Sequence, residues 1–198
     1  LGARSEPDVA EDAGGGHDDG GVLRRPDVSM AARPDRGRAM PTPTDFAAPA
    51  PDITVDFARR AIAAVREVAE SEILPRFRTV VATRKDDGSV VTEADLAAQR
   101  ALATALGRLL PVPLLGEEMP EAEQRAVLAR GGRFWCVDPI DGTGNFSEGI
   151  PFFAVSVALV EDSRPVFGTV VDPIAGEAYF ATRGGGAWLD GAPLVPAT

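Results

Sequence analysis

The stretch WCVDPIDGTGNF, residues 135–146, decides how the rest of the chain is interpreted. It begins as an apolar strand and continues into a loop of Asp, Pro, Gly and Thr. Asp138 lies where the strand is predicted to end, and Asp141 follows after Pro139, which restricts the backbone between the two carboxylates. Two carboxylates on a stiff loop at a strand end predict a hard, oxygen-rich site of the kind that suits Mg²⁺.

The two residues after this aspartate pair complete the motif. Gly142 lets the chain turn, and Thr143 brings a hydroxyl and a backbone amide to the same place. An Asp-x-x-Asp pair alone would be weak evidence, because Asp is frequent in turns and is solvated there. The complete stretch is far more specific, and it resembles the signature of the inositol monophosphatase family of metal-dependent phosphatases.

Composition and charge limit the class of protein. The 198 residues are enough for one domain with a substantial core but few for two. A net charge of -10 argues against nonspecific nucleic-acid binding and against anionic membranes, although a bound metal would still allow an anionic substrate. Cys136 is the only cysteine, so no disulfide can form within the chain. With no apolar run of membrane-spanning length and no secretory signal, the expected location is the cytoplasm.

The chain divides into two parts by composition. Residues 1–51 are predicted to be a disordered tail, because Gly, Pro, Asp and Arg dominate and no helical or strand period appears. His17, the only histidine, lies in this tail and is predicted to be solvated, which excludes catalytic mechanisms that need a histidine. Residues 52–198 are predicted to form the folded domain.

The folded part begins with a helix and a turn-forming segment. Asp52 or Thr54 can cap a helix whose apolar residues recur at helical spacing up to about Pro75. The segment VVATRKDDGSVV, residues 80–91, then predicts a hairpin or an irregular loop. It contains Lys85, the only lysine, which is either a solvated surface residue or a cation on the phosphate side of a metal site.

A second helix is predicted to start at VTEAD and to end at Pro111. Thr92 and Asp95 have the spacing of a capping pair, so Asp95 can be a first-turn carboxylate with no further role. The family carries a similar K…D-x-V-T-x-x-D stretch, however, with slightly different spacing. The matching residues here are Lys85, Asp87, Val91, Thr92 and Asp95.

A short strand and a carboxylate pair follow in VPLLGEE, before a helix predicted near residues 120–129. Glu117 and Glu118 can be a solvated pair that opens this helix, or one of them can reach the metal. The family places Gly-Glu-Glu at this point and uses the first glutamate as a metal ligand. The resemblance therefore implies that Glu117 is a metal ligand and that Glu118 is a base that does not itself bind the metal.

The chain after residue 150 predicts a meander of antiparallel strands with short turns. In PFFAVSVALV, large and small side chains alternate, so the large ones are expected to point into the core. Phe152, Phe153, Trp188 and Leu189 are interpreted as core residues rather than as a ligand box. Helices first and strands after predict an α+β fold, with an N-terminal helix pair packed on an antiparallel sheet.

The resemblance extends from about Thr54 to Pro196. It implies the first half of the layered α/β/α/β/α sugar-phosphatase fold. Complete members continue into a C-terminal α/β domain that holds a W-D-x-A-A/P-G-like motif with a further metal ligand. The sequence stops at Thr198 without this motif, so a truncated member is expected, and the complete form is expected to be a homodimer.

The resemblance also implies a mechanism, which is hydrolysis of a phosphate monoester by metal-activated water with Mg²⁺ as the cofactor. The implied metal ligands are Glu117, Asp138, Asp141 and the carbonyl of Ile140. The implied catalytic residues are Thr143, Asp95 and Glu117, and the implied substrate-binding residues are Gly142, Thr143 and Lys85.

Inositol monophosphate, or a related small phosphorylated polyol, is the substrate that the motif favours. Relatives of the same superfamily act on histidinol phosphate, fructose bisphosphate or phosphoadenosine nucleotides, and these remain alternatives. A noncatalytic, truncated metal-binding fragment is the hypothesis from a different class. Neither nucleic acid nor a membrane is expected as a partner.

Overall fold

The computed structural model describes residues 52–80, 82–84 and 90–195. The predicted tail of residues 1–51 lies outside the described residues, as do Lys85 and Asp87. The predictions about their structure and role therefore stay predictions, and so does the domain boundary at residue 52.

Helix α1, Val55–Val68, begins where the sequence places a cap. The Thr54 Oγ1 accepts a hydrogen bond from the N–H of Phe57 at 3.1 Å, so Thr54 rather than Asp52 is the capping residue. The chain continues through a π-helical turn, Ala69–Ile73, and a 3₁₀ turn, Leu74–Arg76. The helical course therefore ends at Arg76, one residue after the predicted end at Pro75, and its last turns are not α-helical.

Three further helices follow. Helix α2, Glu93–Leu109, packs against α1 and buries a stripe of alanines and leucines. Helix α3, Glu121–Arg130, has no buried residue and lies on the surface. Helix α4, Thr143–Ser147, is a short helix that begins inside the motif, where only a loop was predicted. None of the helices in the described part of the chain combines the length and the apolar character that crossing a bilayer would need.

Two sheets form. Strands β1, Ala82–Arg84, and β2, Val90–Thr92, pair antiparallel, which confirms the predicted hairpin. The second sheet has seven strands in strictly sequential order. They are β3 Leu114–Gly116, β4 Arg133–Asp141, β5 Ala154–Glu161, β6 Arg164–Asp172, β7 Glu177–Thr182, β8 Gly186–Leu189 and β9 Ala192–Pro193.

Every neighbouring pair in the larger sheet is antiparallel except β3 and β4, which are parallel. The sequence analysis did not anticipate this parallel pair. Its physical reason is α3, which connects the two strands and returns the chain to the same end of the sheet. The α+β class, with a helix pair packed on a largely antiparallel sheet, is confirmed.

The core lies between the helix pair and one face of the larger sheet. Phe57 on α1 stacks on Trp135 with ring centroids 6.0 Å apart, and Phe167 meets Trp135 edge-on at 6.4 Å. The alternation predicted for β5 is confirmed, because its large side chains are buried and its small ones face away. Packing of large rings against the helices fixes which face of each strand is inside.

One core prediction is wrong. Phe152 is 76% exposed, whereas Phe153 is buried and packs against Phe146. The alternation of β5 explains the difference, since only one of two consecutive side chains can face the core. Trp188 and Leu189 are partly buried, and Trp188 stacks on Phe180 at 5.0 Å.

Candidate active site

The carboxyl end of β4 positions the two aspartates of the motif. Asp138 pairs with Ser156 and Asp141 with Ala154, and the register shifts between these two pairs. Such an irregularity re-aims side chains and bends the strand. Asp138 is partly buried, and its Oδ1 accepts a hydrogen bond from the N–H of Ile140 at 3.1 Å. Asp141 is exposed at the end of the strand.

The parallel strand β3 brings Glu117 to the same edge of the sheet. Gly116 pairs with Val137, and the N–H of Glu117 donates to the Val137 carbonyl at 3.1 Å. Glu117 therefore leaves the sheet beside Asp138, and the parallel pairing is what aligns the two strand ends. The structure thus brings together Glu117, Asp138 and Asp141, as the family resemblance implied.

Asp138 has an unusual protonation equilibrium. Burial, the negative charge of Glu117, a hydrogen bond with the Glu117 carboxyl and the charge of Asp141 together raise the pKa of Asp138 to about 7. The N–H of Ile140 opposes this shift only in part. Burial of Asp138 and, after it, the neighbouring carboxyl groups therefore leave Asp138 partly protonated near neutral pH.

A second acidic group approaches the motif from α2. Asp95 is 1% exposed, and its Oδ2 accepts hydrogen bonds from the Thr92 N–H at 2.7 Å and the Thr92 hydroxyl at 2.5 Å. Its Oδ1 lies 3.2 Å from the hydroxyl of Thr143. Asp95 therefore caps α2 and also contacts Thr143 of the motif, and its catalytic role stays a prediction.

The Thr143 hydroxyl has two acceptors and one proton. It lies 2.9 Å from the Ile140 carbonyl and 3.2 Å from Asp95 Oδ1, and it can donate to one of them at a time. A ligand on the Ile140 carbonyl would leave Asp95 as the acceptor. The proton of Thr143 can therefore respond to what binds at Ile140.

Position 142 requires glycine both because a side chain would not fit there and because of the backbone conformation. Its φ is +96°, and a Cβ there would lie 3.1 Å from the Phe152 carbonyl oxygen. That same carbonyl accepts a hydrogen bond from Asn145 Nδ2 at 2.8 Å. The motif thus closes against the start of β5, and this contact holds Thr143 at the start of α4.

Two glutamines that the sequence analysis did not single out hold the Glu117 segment. Gln99 Oε1 accepts from the N–H of Glu118 at 2.9 Å, and a Cβ at Gly116 would lie 2.3 Å from this oxygen. Gln124 Nε2 lies 3.1 Å from the Glu117 carbonyl and within 3.3 Å of two neighbouring carbonyls. Neither glutamine shows a spacing signal in the sequence, because Gln99 lies on a helix 18 residues before Glu117 and Gln124 lies on the helix that follows it.

A cavity of ≈ 330 Å³ opens beside these carboxylates, lined by Glu117, Gln124, Cys136, Asp138 and Ser156 among others. Burial, reinforced by the charge of Asp138, raises the pKa of the Cys136 thiol, so this thiol stays protonated at neutral pH. The cavity offers space for a ligand group in contact with the acidic edge.

The donors fit a hard divalent cation as an open ligand set. Within residues 52–80, 82–84 and 90–195, no three acidic, cysteine or histidine side chains converge tightly enough to enclose an ion. The carboxylates that act on Asp138 are nevertheless all oxygen donors, and a cation would favour the charged form of Asp138, which burial and the neighbouring carboxylates disfavour. We conclude that the site is an acidic edge rather than a closed cage.

Comparison with protein families identifies residues 50–198 as a match to the inositol monophosphatase family. The chain belongs to the inositol monophosphatase family. A 3'(2'),5'-bisphosphate nucleotidase CysQ from Salmonella typhimurium is 42% identical over 108 residues, which cover 54% of this chain and 43% of that protein. A histidinol-phosphatase from Chlorobaculum parvum is 36% identical over 118 residues, covering 59% and 44%. These family members are phosphatases with different substrates.

The fold of this chain also matches solved structures of the inositol monophosphatase family. An IMPase from Thermotoga maritima aligns with a TM-score of 0.61 and 30% identity, over 72% of this chain and 53% of that one. The chain spans about half the length of the curated relatives and solved structures that it matches.

Proposed function

We propose that this chain carries the metal-holding and water-orienting part of a Mg²⁺-dependent phosphatase that hydrolyses phosphate monoesters. One observation carries the proposal: the carboxylates Glu117, Asp138 and Asp141 meet at one sheet edge, and the Asp95–Thr143 pair reaches the same loop. Membership of a phosphatase family supports the reaction class.

The metal would be held by oxygen atoms of this edge, namely the Glu117, Asp138 and Asp141 carboxylates and the Ile140 carbonyl. When bound, Mg²⁺ supplies charge stabilisation to the phosphate and lowers the pKa of water. Asp138 would lose its proton as the ion binds, because the cation replaces the proton as the partner of the carboxylate.

Thr143 and Asp95 would orient the attacking water. Asp95 is fixed by the two hydrogen bonds from Thr92, so its Oδ1 is available to accept the hydroxyl proton of Thr143. A lone pair of the Thr143 oxygen is then free to accept a hydrogen bond from a water molecule. Glu117 would act both as a ligand and as part of the catalytic set.

Phosphate contacts are a further part of the proposal. The backbone amides of Gly142 and Thr143 would meet phosphate oxygens, and Lys85, outside the described residues, would add a cation. Inositol monophosphate is the proposed substrate, since D-P-I-D-G-T-x-N-F followed by an apolar stretch is most similar to that branch. Histidinol phosphate, fructose bisphosphate and phosphoadenosine nucleotides remain the competing substrates, and a homodimer remains the proposed state of the complete form.

A second candidate function is metal binding without turnover. The open ligand set in the described residues favours it, because further ligands would be needed to close around an ion.

Phosphate release separates these functions. The chain and a version extended by a C-terminal half from the family are assayed with the four substrates, with and without Mg²⁺. We expect Mg²⁺-dependent release from the extended protein and a loss of about 100-fold or more in Thr143→Ala, as for other groups that handle the reacting proton. Ser147→Ala, which removes a hydroxyl from the same short helix, is the matched control. Equal activity of the two variants would contradict the role of Thr143.

Metal binding tests the site without any turnover. Calorimetry of the chain with Mg²⁺ should show about tenfold weaker binding for Asp141→Asn, which keeps the shape but removes a charge. Asp162→Asn is the control, because Asp162 is exposed in the turn between β5 and β6. The neighbouring Glu161 is unsuitable, since it pairs with Arg133 at 2.6 Å and with Arg183 at 3.7 Å. Equal affinities would place the metal elsewhere.

A further inference from the structure

A second cavity, of ≈ 440 Å³, lies between α1 and the turns that follow β6 and β8. It shares no lining residue with the candidate active site. Two arginines of α1, Arg59 and Arg66, line it together with an apolar floor that includes Ile62 and Phe180. Its volume falls in the range of about 300–1,000 Å³ that small-molecule sites occupy.

Arg66 is only partly satisfied. Its Nη2 donates to Asp190 Oδ1 at 2.6 Å and to the Gly176 carbonyl at 3.0 Å, which ties α1 to both turns. Its Nε is buried and has no hydrogen-bond partner among the described residues. Buried donors without a partner are rare in folded proteins, and an unmodified guanidinium always carries its charge. The Arg66 side chain is nevertheless 41% exposed, so part of it faces the cavity.

Arg59 is exposed and lies one helical turn before Ile62 on the same side of α1. It makes no hydrogen bond and no ion pair with any residue in the described part of the chain. Asp190, the acidic group in the lining, already accepts from Arg66 and from the N–H of Ala178 at 3.0 Å. The lining therefore holds two positive charges and one negative charge, in a chain whose net charge is -10.

We propose that this cavity is a binding site for a small organic carboxylate with an apolar body. One surplus positive charge matches a monoanion, and a carboxylate can accept from the exposed Arg59 while it lies beside the guanidinium of Arg66. Ile62, Ala178 and Phe180 would contact the apolar body. A phosphate dianion suits the cavity less well, because Asp190 lies in the same lining and would repel the second charge.

Benzoate is a suitable probe, and calorimetric titration of the full metal-free chain measures its binding. The chain is prepared over a chelating resin, since soluble chelators are themselves carboxylates. Benzamide, the uncharged analogue, tests the need for charge, and inorganic phosphate tests the need for an apolar body. Arg59→Gln removes the free cation, and Arg60→Gln is the matched control, because Arg60 is exposed on α1 but does not line the cavity.

We expect benzoate to bind the unmodified chain and Arg60→Gln equally, and Arg59→Gln about tenfold more weakly, as the loss of one charged hydrogen bond implies. Ala63→Phe, at an exposed lining residue, should fill the cavity and abolish binding. Asp141→Asn should leave benzoate binding unchanged, which separates this cavity from the acidic edge. No benzoate binding, equal affinities for benzoate and benzamide, or equal affinities in the Arg59 and Arg60 variants would overturn the proposal.

Discussion

The two faces of the seven-stranded sheet are built from the same strands but have different roles. The helix-covered face carries large side chains such as Trp135, Val157 and Phe180. The opposite face carries small or polar ones, among them Ser156 and Asp138. Because neighbouring residues of a strand alternate between the faces, β4 serves the core and the acidic edge at once. Stability and chemistry can therefore be altered separately by substitutions only one residue apart.

The largest contrast between the faces is expected in stability. Trp135 is fully buried, stacks on Phe57, and donates from Nε1 to the Leu110 carbonyl at 3.2 Å. Trp135→Ala should lower the free energy of unfolding by about 3–5 kcal/mol. Val170→Ser, on the opposite face and 42% exposed, should change it by no more than about 0.5 kcal/mol. Urea denaturation measures both, and similar losses would mean that the faces are assigned wrongly.

A smaller effect is expected from Asp138 on the acidic edge. Its pKa is about 7 in the folded chain and about 3.9 when unfolded. The contribution of Asp138 to the stability of the metal-free chain should therefore be greatest below about pH 4, and it should be lost as the pH rises towards 7. Asp138→Asn should remove this dependence and stabilise the metal-free chain at pH 8.

We expect a gain of about 1–2 kcal/mol for this variant at pH 8, less than the full shift implies because the group is only partly buried. Thermal unfolding from pH 4 to pH 8 measures it, with Asp162→Asn as the control. Mg²⁺ should stabilise the unmodified chain more than the variant. An unchanged pH profile in Asp138→Asn would show that the pKa of Asp138 is not raised in the folded chain.

The smallest effect is expected at Gln99, which reaches from the helix layer to the acidic edge. Gln99→Leu would leave the Glu118 N–H without its acceptor and should cost about 1 kcal/mol of stability. Because this contact orients the Glu117 segment, Mg²⁺ affinity should fall several-fold, and Gln99→Glu should restore part of it by returning an acceptor oxygen. Denaturation and calorimetry on both variants decide the question. A stability loss without any change in Mg²⁺ affinity would limit Gln99 to a structural role.

Much of the fold could be predicted because its signals are local. Thr54, Pro75 and the alternation in β5 are each legible within a few residues. The parallel pairing of β3 with β4 could not be found in this way, since it depends on where α3 returns the chain. The exposure of Phe152 was missed although its signal is local, because the alternation that places Phe153 inward places Phe152 on the opposite side.

The acidic edge also combines features that local sequence predicts with features that depend on distant parts of the chain. Asp138 and Asp141 lie in one motif, and the family resemblance added Glu117 and Asp95 from distant positions. The raised pKa of Asp138 arises only when separate elements of the chain come together. The same holds for the contacts of the two glutamines with the Glu117 segment. Sequence patterns therefore suggested which side chains take part, whereas their mutual energetics required the assembled sheet.

The strictly sequential strand order also has a consequence for how the chain forms during synthesis. Each strand from β4 to β9 can pair with the one made just before it, so the sheet can grow by local steps. Helix α1 is made first but contacts β6 and β7, whose residues follow roughly a hundred positions later. At a translation rate of ~5–20 residues per second, the apolar stripe of α1 is without its partners in the sheet for on the order of ten seconds. The nascent helix is thus the segment that chaperones or premature association would meet first.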